Sequence, residues 1–224
     1  MKFSPATAEE AQLWQGLEAA GLTQHILWGE QGPELRSPQA GERPVRLDFD
    51  ADFAQWQRTT QAKRSQPLYR ALGVKNNQLP TVWDVTCGLA GDSLQLLALG
   101  AKVVSSERHP LVAFLLSCAY QRWAHPIKAH WRLALALTTP PPEAQVIYFD
   151  PMYSESNPKA LPRKEMRVFR ELVGEDHDAV SVAEGLRRQG LRLIIKRPPK
   201  AAPLLAAPQF AQEGKAVRFD VYLP

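Results

Sequence analysis

The motif Asp-Pro-Met-Tyr at residues 150–153 is the part of the sequence that could most directly do chemistry. It follows the apolar run VIYF at 146–149, so we predict that it lies where a buried strand ends. The Asp150 carboxylate, with a backbone carbonyl held rigid by Pro151, could accept the two hydrogens of an exocyclic amine on a base. Tyr153 could stack on that base and hold it in a pocket. We therefore predict Asp150, Pro151 and Tyr153 as catalytic residues that prepare a poorly nucleophilic amine for reaction.

A glycine-containing loop, DVTCGLAGD at residues 84–92, lies between a predicted strand and a predicted helix. Gly88 and Gly91 have no Cβ atom, so the backbone can approach a ligand closely there. Glu107 ends the next predicted strand, where an acidic side chain can accept both hydroxyls of a ribose. This set predicts a nucleoside-containing cofactor. By itself it does not separate NAD from S-adenosylmethionine.

Two carboxylates next to the glycine loop favour the second of these cofactors. Asp84 and Asp92 flank the loop, where they could meet the cationic amino group of a methionine moiety but would repel a pyrophosphate. Thr86 and Ala90 stand where a dinucleotide-binding loop prefers glycine. Both observations favour S-adenosylmethionine over NAD.

The elements that must position these residues alternate between strands and helices from residue 81 onward. Near-continuous apolar runs predict strands at 82–86, 102–107, 146–151, 191–198 and 217–224. Helices are predicted directly after the glycine loop and at 110–123, 163–174 and 182–190. This alternation predicts an α/β fold whose mostly parallel sheet has helices on both faces and an antiparallel last strand at its edge. Residues 1–78 are predicted as a small N-terminal α+β segment and residues 79–224 as the main domain.

Composition excludes several classes of protein. The chain has 224 residues, of which 45% are hydrophobic and 22% are charged, as expected for one ordinary soluble domain with a small appendage. It lacks the roughly 18–20 successive apolar residues of a membrane helix, and its N-terminus turns acidic where a signal peptide would be apolar. Cys87 and Cys118 cannot form a disulfide scaffold, and the histidines have no zinc-binding spacing. We expect a cytoplasmic protein without a metal.

The positive charge is concentrated in two stretches of the chain. The net charge is +4, and residues 158–224 hold thirteen basic against eight acidic residues. Residues 53–83 hold five basic residues, including Arg64, and no acidic one. Surfaces that bind phosphates have such clusters, but so do ordinary solvated faces. The charge suggests nucleic acid as a partner without establishing it.

Several longer runs resemble one family. The motif DPMY followed by ALPRKEMRVFRELVG (160–174), IIKRP (194–198) and RFDVY (218–222) is similar to the RsmJ family of bacterial 16S rRNA guanine-N2 methyltransferases. The stretch LPTVWDVTCGLAGDSLQLLALGAKV (79–103) resembles that family too. The resemblance implies a Rossmann-like class I methyltransferase fold for 79–224, S-adenosylmethionine as cofactor, and 16S rRNA in the small ribosomal subunit as partner.

The resemblance also implies roles for particular residues, carried over by motif match. The cofactor-pocket positions are Gly91, Asp92, Glu107, Arg108 and Asp150, to which the loop adds Asp84 and Gly88. His130 and Trp131 are expected beside the adenine. The positions expected near RNA or the pocket are Lys164, Glu165, Arg167, Lys196 and Arg197, to which the basic cluster adds Arg64.

Two other functions remain open at this point. Tetrapeptides related to DPMY also serve other amines, so the substrate could be adenine in DNA or a glutamine side chain of a protein. The other is an rRNA-binding or ribosome-assembly factor that keeps the fold without turnover.

Overall fold

The structure is a computed structural model that describes residues 5, 7–39, 41–60, 62, 65–74, 76, 78–135, 137–152 and 164–224. By contacts between residues, the chain divides into two compact units. The first consists of Met1–Phe49, Arg108–Ala124 and Met152–Glu175, and the second of Asp50–Glu107, His125–Pro151 and Asp176–Pro224. The domain boundary predicted between residues 78 and 79 stays a prediction. Among the described helices, none combines the length and the apolar character needed to cross a membrane.

A seven-stranded sheet forms the centre of the second unit. Its strands are β3 (Thr81–Asp84), β4 (Lys102–Ser105), β5 (Trp131–Leu133), β6 (Val146–Phe149), β7 (Arg192–Arg197), β8 (Phe210–Glu213) and β9 (Arg218–Tyr222). The order across the sheet is β5-β4-β3-β6-β7-β9-β8. The first five strands in this order pair in parallel, whereas β9 is antiparallel to both β7 and β8. The predicted α/β class with a mostly parallel sheet is therefore confirmed.

Two strands were not predicted from the sequence. The reversed strand β9 does not form the sheet edge itself, because the strand Phe210–Glu213 pairs with its outer side. The other unpredicted strand, Trp131–Leu133, has only three residues and forms the opposite edge. Edge strands are short and partly exposed, so neither has the continuous apolar run that marks the central strands.

One face of the sheet carries the hydrophobic core of the second unit. Side chains alternate between the two faces of a strand, so Ile147, Leu193 and Ile195 lie on the same side. They pack with Ala183 and Leu186 of the helix α7 (Ala179–Arg187). These side chains are fully or almost fully buried, and burial of each leucine or isoleucine stabilises the fold by about 1.5–3 kcal/mol.

The remaining helices begin and end at positions that the sequence marks. They are α1 (Ala8–Ala19), α2 (Phe49–Thr59), α3 (Pro67–Leu72), α4 (Gly91–Leu99), α5 (Pro110–Arg122) and α6 (Lys164–Val173). The helix α5 has proline at its first position, where a missing N–H is tolerated. The helix α4 ends at Gly100, whose φ of 100° is a left-handed conformation that glycine adopts without strain.

The first unit combines a hairpin with helices. Its strands β1 (Ile26–Gly29) and β2 (Gly32–Leu35) pair antiparallel. Trp14 of α1, Trp28 of β1 and Phe114 of α5 form an aromatic cluster with ring centroids 5.4–6.3 Å apart. Aromatic rings at such spacing contribute beyond the area that they bury, so this cluster holds the three elements together.

We expect Leu193→Ala to lower the free energy of unfolding by about 2–5 kcal/mol, because it leaves a cavity at a fully buried position. Val180→Ala, on the outer side of α7 where the side chain is 50% exposed, is the matched control and should change it by about 0.5 kcal/mol or less. Urea unfolding followed by circular dichroism measures both. Equal losses in the two variants would contradict the assignment of the core.

Candidate active site

The predicted site residues of the second unit gather at one edge of the sheet. Asp84 is the last residue of β3, Ser105 is the last residue of β4, and Asp150 directly follows β6. These three strands are adjacent and parallel, so their carboxyl ends meet. In open α/β sheets this edge is where ligands bind.

The loop after β3 makes a tight turn into α4. Gly88 has φ of 54° and Ala90, the N-cap of α4, has φ of 68°. The backbone N–H of Gly88 donates a hydrogen bond of 2.9 Å to the Glu107 carboxylate, which brings the acidic residue at the end of the next strand onto the loop. A Cβ atom built on Gly91 would meet nothing within 4 Å, so the first turn of α4 faces open space. The loop thus leaves room for a ligand beside a carboxylate.

Asp84 lies completely buried beneath this loop. One of its carboxylate oxygens accepts a hydrogen bond of 2.5 Å from the Ser93 hydroxyl, and the other accepts one of 3.2 Å from the backbone N–H of Thr86. The Ser93 and Ser105 hydroxyls are 2.7 Å apart, and the Trp131 indole N–H donates to Ser105 at 2.8 Å. Burial raises the pKa of Asp84 to about 7, although the Ser93 hydrogen bond opposes this shift. Asp84 therefore serves to fix the loop.

A second polar cluster lies where α4, β6 and β7 converge. The Lys196 ammonium donates to the carboxylates of Asp92 at 2.7 Å and Asp150 at 2.8 Å. The Tyr148 hydroxyl donates to the same oxygen of Asp92, at 2.7 Å. The side chains of Asp92, Asp150 and Lys196 are 19%, 32% and 23% exposed, so the cluster is partly screened from water but still reachable.

Burial and charge act against each other in this cluster. For Asp150, burial and the neighbouring Asp92 outweigh the Lys196 ammonium and raise the pKa to about 6. For Asp92, burial is outweighed by Lys196 together with hydrogen bonds from its neighbours, so its pKa lies below the usual value. Burial would lower the pKa of Lys196, but the two carboxylates raise it instead. At neutral pH the cluster therefore contains two ionised carboxylates and one ammonium, with a net negative charge.

Thr86 connects the glycine loop to the motif at 150–153. Its hydroxyl accepts a hydrogen bond of 2.7 Å from the backbone N–H of Asp150. Because the backbone N–H of Thr86 is bonded to Asp84, one residue ties the loop to the end of β6. Pro151, the residue after Asp150, is buried. The loop and the first residues of the motif thus form one hydrogen-bonded unit.

Comparison with known proteins identifies what kind of site this is. A family model described as SAM-dependent methyltransferase matches residues 11–224. Ribosomal RNA small subunit methyltransferase J of Thioalkalivibrio sulfidiphilus is 36% identical, over 97% of this chain and 91% of that protein. The same-named protein of Coxiella burnetii is 38% identical, over 85% of this chain and 79% of that protein. The chain belongs to the methyltransferase J family.

A solved structure agrees with this membership. The SAM-dependent methyltransferase of Neisseria gonorrhoeae superposes with a TM-score of 0.60 at 30% identity, covering 89% of this chain and 82% of that one. The resemblance drawn from the sequence, the enzyme class and S-adenosylmethionine as cofactor are thereby confirmed. The site fits this cofactor, because there is open space at Gly91, the Glu107 carboxylate reaches the same loop at Gly88, and the negative cluster suits a cationic methionine moiety.

The methyltransferase site brings most of the predicted cofactor residues together, but not all of them. The loop and its cluster contain Asp84, Gly88, Gly91, Asp92, Glu107, Trp131 and Asp150. Arg108 follows Glu107 and is exposed. His130 lies elsewhere, because it precedes β5 and so stands at the amino ends of the strands. There it lines a cavity of about 630 Å³ together with Lys102 and Thr81.

The residues predicted near RNA lie in different surroundings. Lys196 belongs to the carboxylate cluster, and the Arg197 guanidinium donates two hydrogen bonds to the backbone oxygen of Ala202, at 3.0 and 2.8 Å. In the first unit, Arg167 forms an ion pair with Glu42. Tyr153, Arg64 and the side chains of Lys164 and Glu165 lie outside the described residues.

Sequence reasoning missed the hydroxyl groups that hold this methyltransferase site. Ser93, Ser105 and Ser106 are buried and hydrogen-bonded, with Ser106 accepting from the Trp83 indole at 2.6 Å. Tyr148 was part of an apolar strand in the prediction. Its hydroxyl was a usable signal, since a buried tyrosine hydroxyl usually finds a hydrogen-bond partner. In the described part of the chain, His, Cys, Asp and Glu form no group of three that could hold a metal ion.

We expect Asp84→Asn to flatten the pH dependence of folding stability. The pKa of Asp84 is about 7 in the folded protein and near 3.8 when unfolded, so the unfolded chain releases this proton first. Wild-type stability should therefore fall by a few kcal/mol as the pH rises from about 4 to about 7. The variant lacks this contribution. Urea unfolding at pH 5 and pH 8 measures the difference.

Glu184→Gln, the same change at an exposed position of α7, is the control for this experiment. It should keep the wild-type pH dependence. An Asp84→Asn variant whose stability falls with pH as steeply as that of the wild type would contradict the protonation of Asp84.

Proposed function

We propose that this protein transfers a methyl group from S-adenosylmethionine to the exocyclic N2 of a guanine in 16S rRNA, in the cytoplasm. The observation that carries this proposal is the position of the Asp150 carboxylate. That carboxylate is partly exposed, stands at the carboxyl end of β6, and shares a hydrogen-bonded unit with the glycine loop. The partner follows from the relatives, which are named ribosomal RNA small subunit methyltransferase J.

The target amine needs the acceptors that this motif provides. The lone pair of an exocyclic amine is delocalised into the ring, so the nitrogen attacks poorly. Asp150 and the backbone carbonyl of Pro151 can each accept one of its hydrogens. This arrangement turns the nitrogen towards a tetrahedral geometry and directs its lone pair to the methyl donor. The acceptor role requires an ionised Asp150, which its pKa of about 6 permits at neutral pH.

The transfer step balances without a covalent enzyme intermediate. When bound, S-adenosylmethionine would supply a methyl group on a sulfonium, whose C–S bond would break as the C–N bond to the amine formed, and a thioether would remain. The methylated nitrogen then carries one proton too many. In this proposal Asp150 accepts that proton and releases it to solvent. The chain's own residues thus supply orientation, acceptors and a proton route.

The base must leave its stack to reach this motif. Enzymes that modify a base take it from single-stranded nucleic acid or flip it out of a duplex. Tyr153, two residues beyond Pro151, is our candidate for stacking on the extruded guanine. The basic excess in residues 158–224 suits a phosphate backbone, and Arg64, Lys164, Arg167 and Arg197 stay candidates for binding it.

We expect Asp150→Asn to lower the rate of methyl transfer about 100-fold or more, because the amide has nearly the same shape as the carboxylate but lacks its negative charge. The measurement is tritium transfer from labelled S-adenosylmethionine to small ribosomal subunits that lack their modifications. Unfolding curves and cofactor binding of the variant show whether it is intact. Full activity of an intact variant would disprove the role of Asp150.

The substrate is tested with the wild-type protein in parallel reactions. Label at one guanine of 16S rRNA supports the proposal. Label in DNA adenine or in a glutamine-containing peptide, but not in rRNA, would contradict it. Absence of both transfer and cofactor binding, with salt-sensitive rRNA binding kept, would indicate a non-catalytic assembly factor instead.

We expect Glu107→Gln to weaken S-adenosylmethionine binding about tenfold or more, because hydrogen bonds to a charged group contribute about 1.5–3 kcal/mol. Isothermal titration calorimetry measures the affinity without any RNA. Glu143→Gln, at a half-exposed position before β6, is the control and should bind the cofactor as the wild type does. Equal affinities for all three proteins would contradict the proposed ribose contact of Glu107.

A further inference from the structure

Lys196, which was expected near RNA or the pocket, lies in the carboxylate cluster. It belongs to β7, next to the buried Ile195, and only 23% of its side chain is exposed. Its ammonium makes two ion-pair hydrogen bonds, 2.7 Å to Asp92 and 2.8 Å to Asp150. A lysine that contacts RNA phosphates needs its ammonium within reach of them. Here that ammonium is committed to two carboxylates.

We propose that Lys196 is a positioning residue, whose ammonium keeps the Asp150 carboxylate charged and fixed as the acceptor for the target amine. The inference rests on the proposed function, in which Asp150 accepts a hydrogen of that amine. Thr86 holds the backbone of Asp150 through its N–H, and Lys196 holds the side chain. Together they fix both ends of the residue.

The groups around Asp150 explain why a cation is needed there. The helix α4 contributes Asp92, β3 contributes Asp84, β6 contributes the Tyr148 hydroxyl, and β7 contributes Lys196. The two aspartates carry or can acquire negative charge, and the tyrosine is neutral because burial raises its pKa well above the ordinary value. Both burial and Asp92 favour the protonated form of Asp150. Lys196 supplies the opposing positive charge.

A protonated Asp150 could not perform the proposed role. A carboxylic acid presents one O–H donor where the amine requires an acceptor. An opposite charge within about 4–6 Å lowers the pKa of a carboxyl group by about 1–3 units. Removal of Lys196 should therefore shift the ionisation of Asp150 into or above the neutral range and leave most molecules in the wrong form at pH 7.

The test compares Lys196→Met with Lys196→Arg and with Lys200→Met. Met keeps the length of the side chain without its charge, and Arg keeps the charge. Lys200 lies exposed after the same strand, so Lys200→Met removes one lysine charge away from the cluster. The first readout is the pH profile of single-turnover methyl transfer. The second is the titration of the Asp150 carboxyl carbon by NMR in the cofactor-free protein, assigned with Asp150→Asn.

We expect the acidic limb of the rate profile to move up by about 1–3 pH units in Lys196→Met, so that the rate at pH 7 falls by about 2- to 100-fold and recovers towards pH 9. The NMR midpoint of Asp150 should move in the same direction. Lys196→Arg should restore most of both, and Lys200→Met should match the wild type. Should the Met variant unfold, Lys196→Gln is carried through the same two titrations.

Two outcomes would overturn the inference. One is an unchanged Asp150 midpoint in the uncharged variants. The other is an unchanged pH profile accompanied by weaker rRNA binding with a shallower salt dependence, which would make Lys196 a phosphate contact. The NMR titration needs no substrate. If the Asp150 midpoint moves as expected but even the wild type leaves rRNA unlabelled, the effect of Lys196 on the ionisation of Asp150 stands, whereas the proposed function fails and the acceptor role fails with it.

Discussion

Three carboxylates lie close together at the carboxyl edge of one sheet, and the structure of the site depends on how their negative charges are compensated. Asp84, Asp92 and Asp150 interact electrostatically, and each is at least largely withdrawn from water. Like charges in such surroundings repel strongly, so all three cannot be ionised without compensation. The protein resolves the conflict in two ways. Asp84 is held by hydroxyl and backbone donors and titrates near neutrality, while Asp92 and Asp150 share one ammonium.

This division of charge also separates two tasks. Asp84 is sealed under the glycine loop, where it bonds to Ser93 and Thr86 and maintains the turn into α4. Asp92 and Asp150 keep part of their surface open and give this region a negative potential. Such a potential favours a cationic cofactor over the neutral thioether that remains after transfer.

Much of the fold could be predicted from the sequence, because the central strands are buried on both faces. The runs around Trp83, Ile147 and Ile194 are nearly continuous in apolar residues, which marks parallel strands with helices on both sides. The edge strands Trp131–Leu133 and Phe210–Glu213 have no such run. Their existence depends on a neighbouring strand that offers hydrogen bonds, and a local pattern does not contain that information.

The site shows the same limit at the level of single side chains. Glu107 and Asp150 could be predicted because their positions at strand ends follow from the chain itself. Lys196 was expected near RNA or the pocket by motif match, but its two ion pairs could not be predicted, because the two carboxylates opposite it come from distant elements. His130 looked like a neighbour of the adenine because it precedes Trp131. The strand β5 begins at Trp131, whose indole bonds to Ser105, whereas His130 lines the cavity at the amino ends of the strands.

Thr86 joins the glycine loop to Asp150, the first residue of the DPMY motif, through hydrogen bonds. Its N–H is bonded to Asp84 and its hydroxyl accepts from the backbone of Asp150, so a movement of the loop changes the position of the acceptor. The other end of Asp150 is tied to α4 through Lys196 and Asp92. A ligand that orders the loop therefore also orders Asp150. In the proposed reaction, the positions of methyl donor and target amine would therefore depend on one shared set of hydrogen bonds at the carboxyl edge of the sheet.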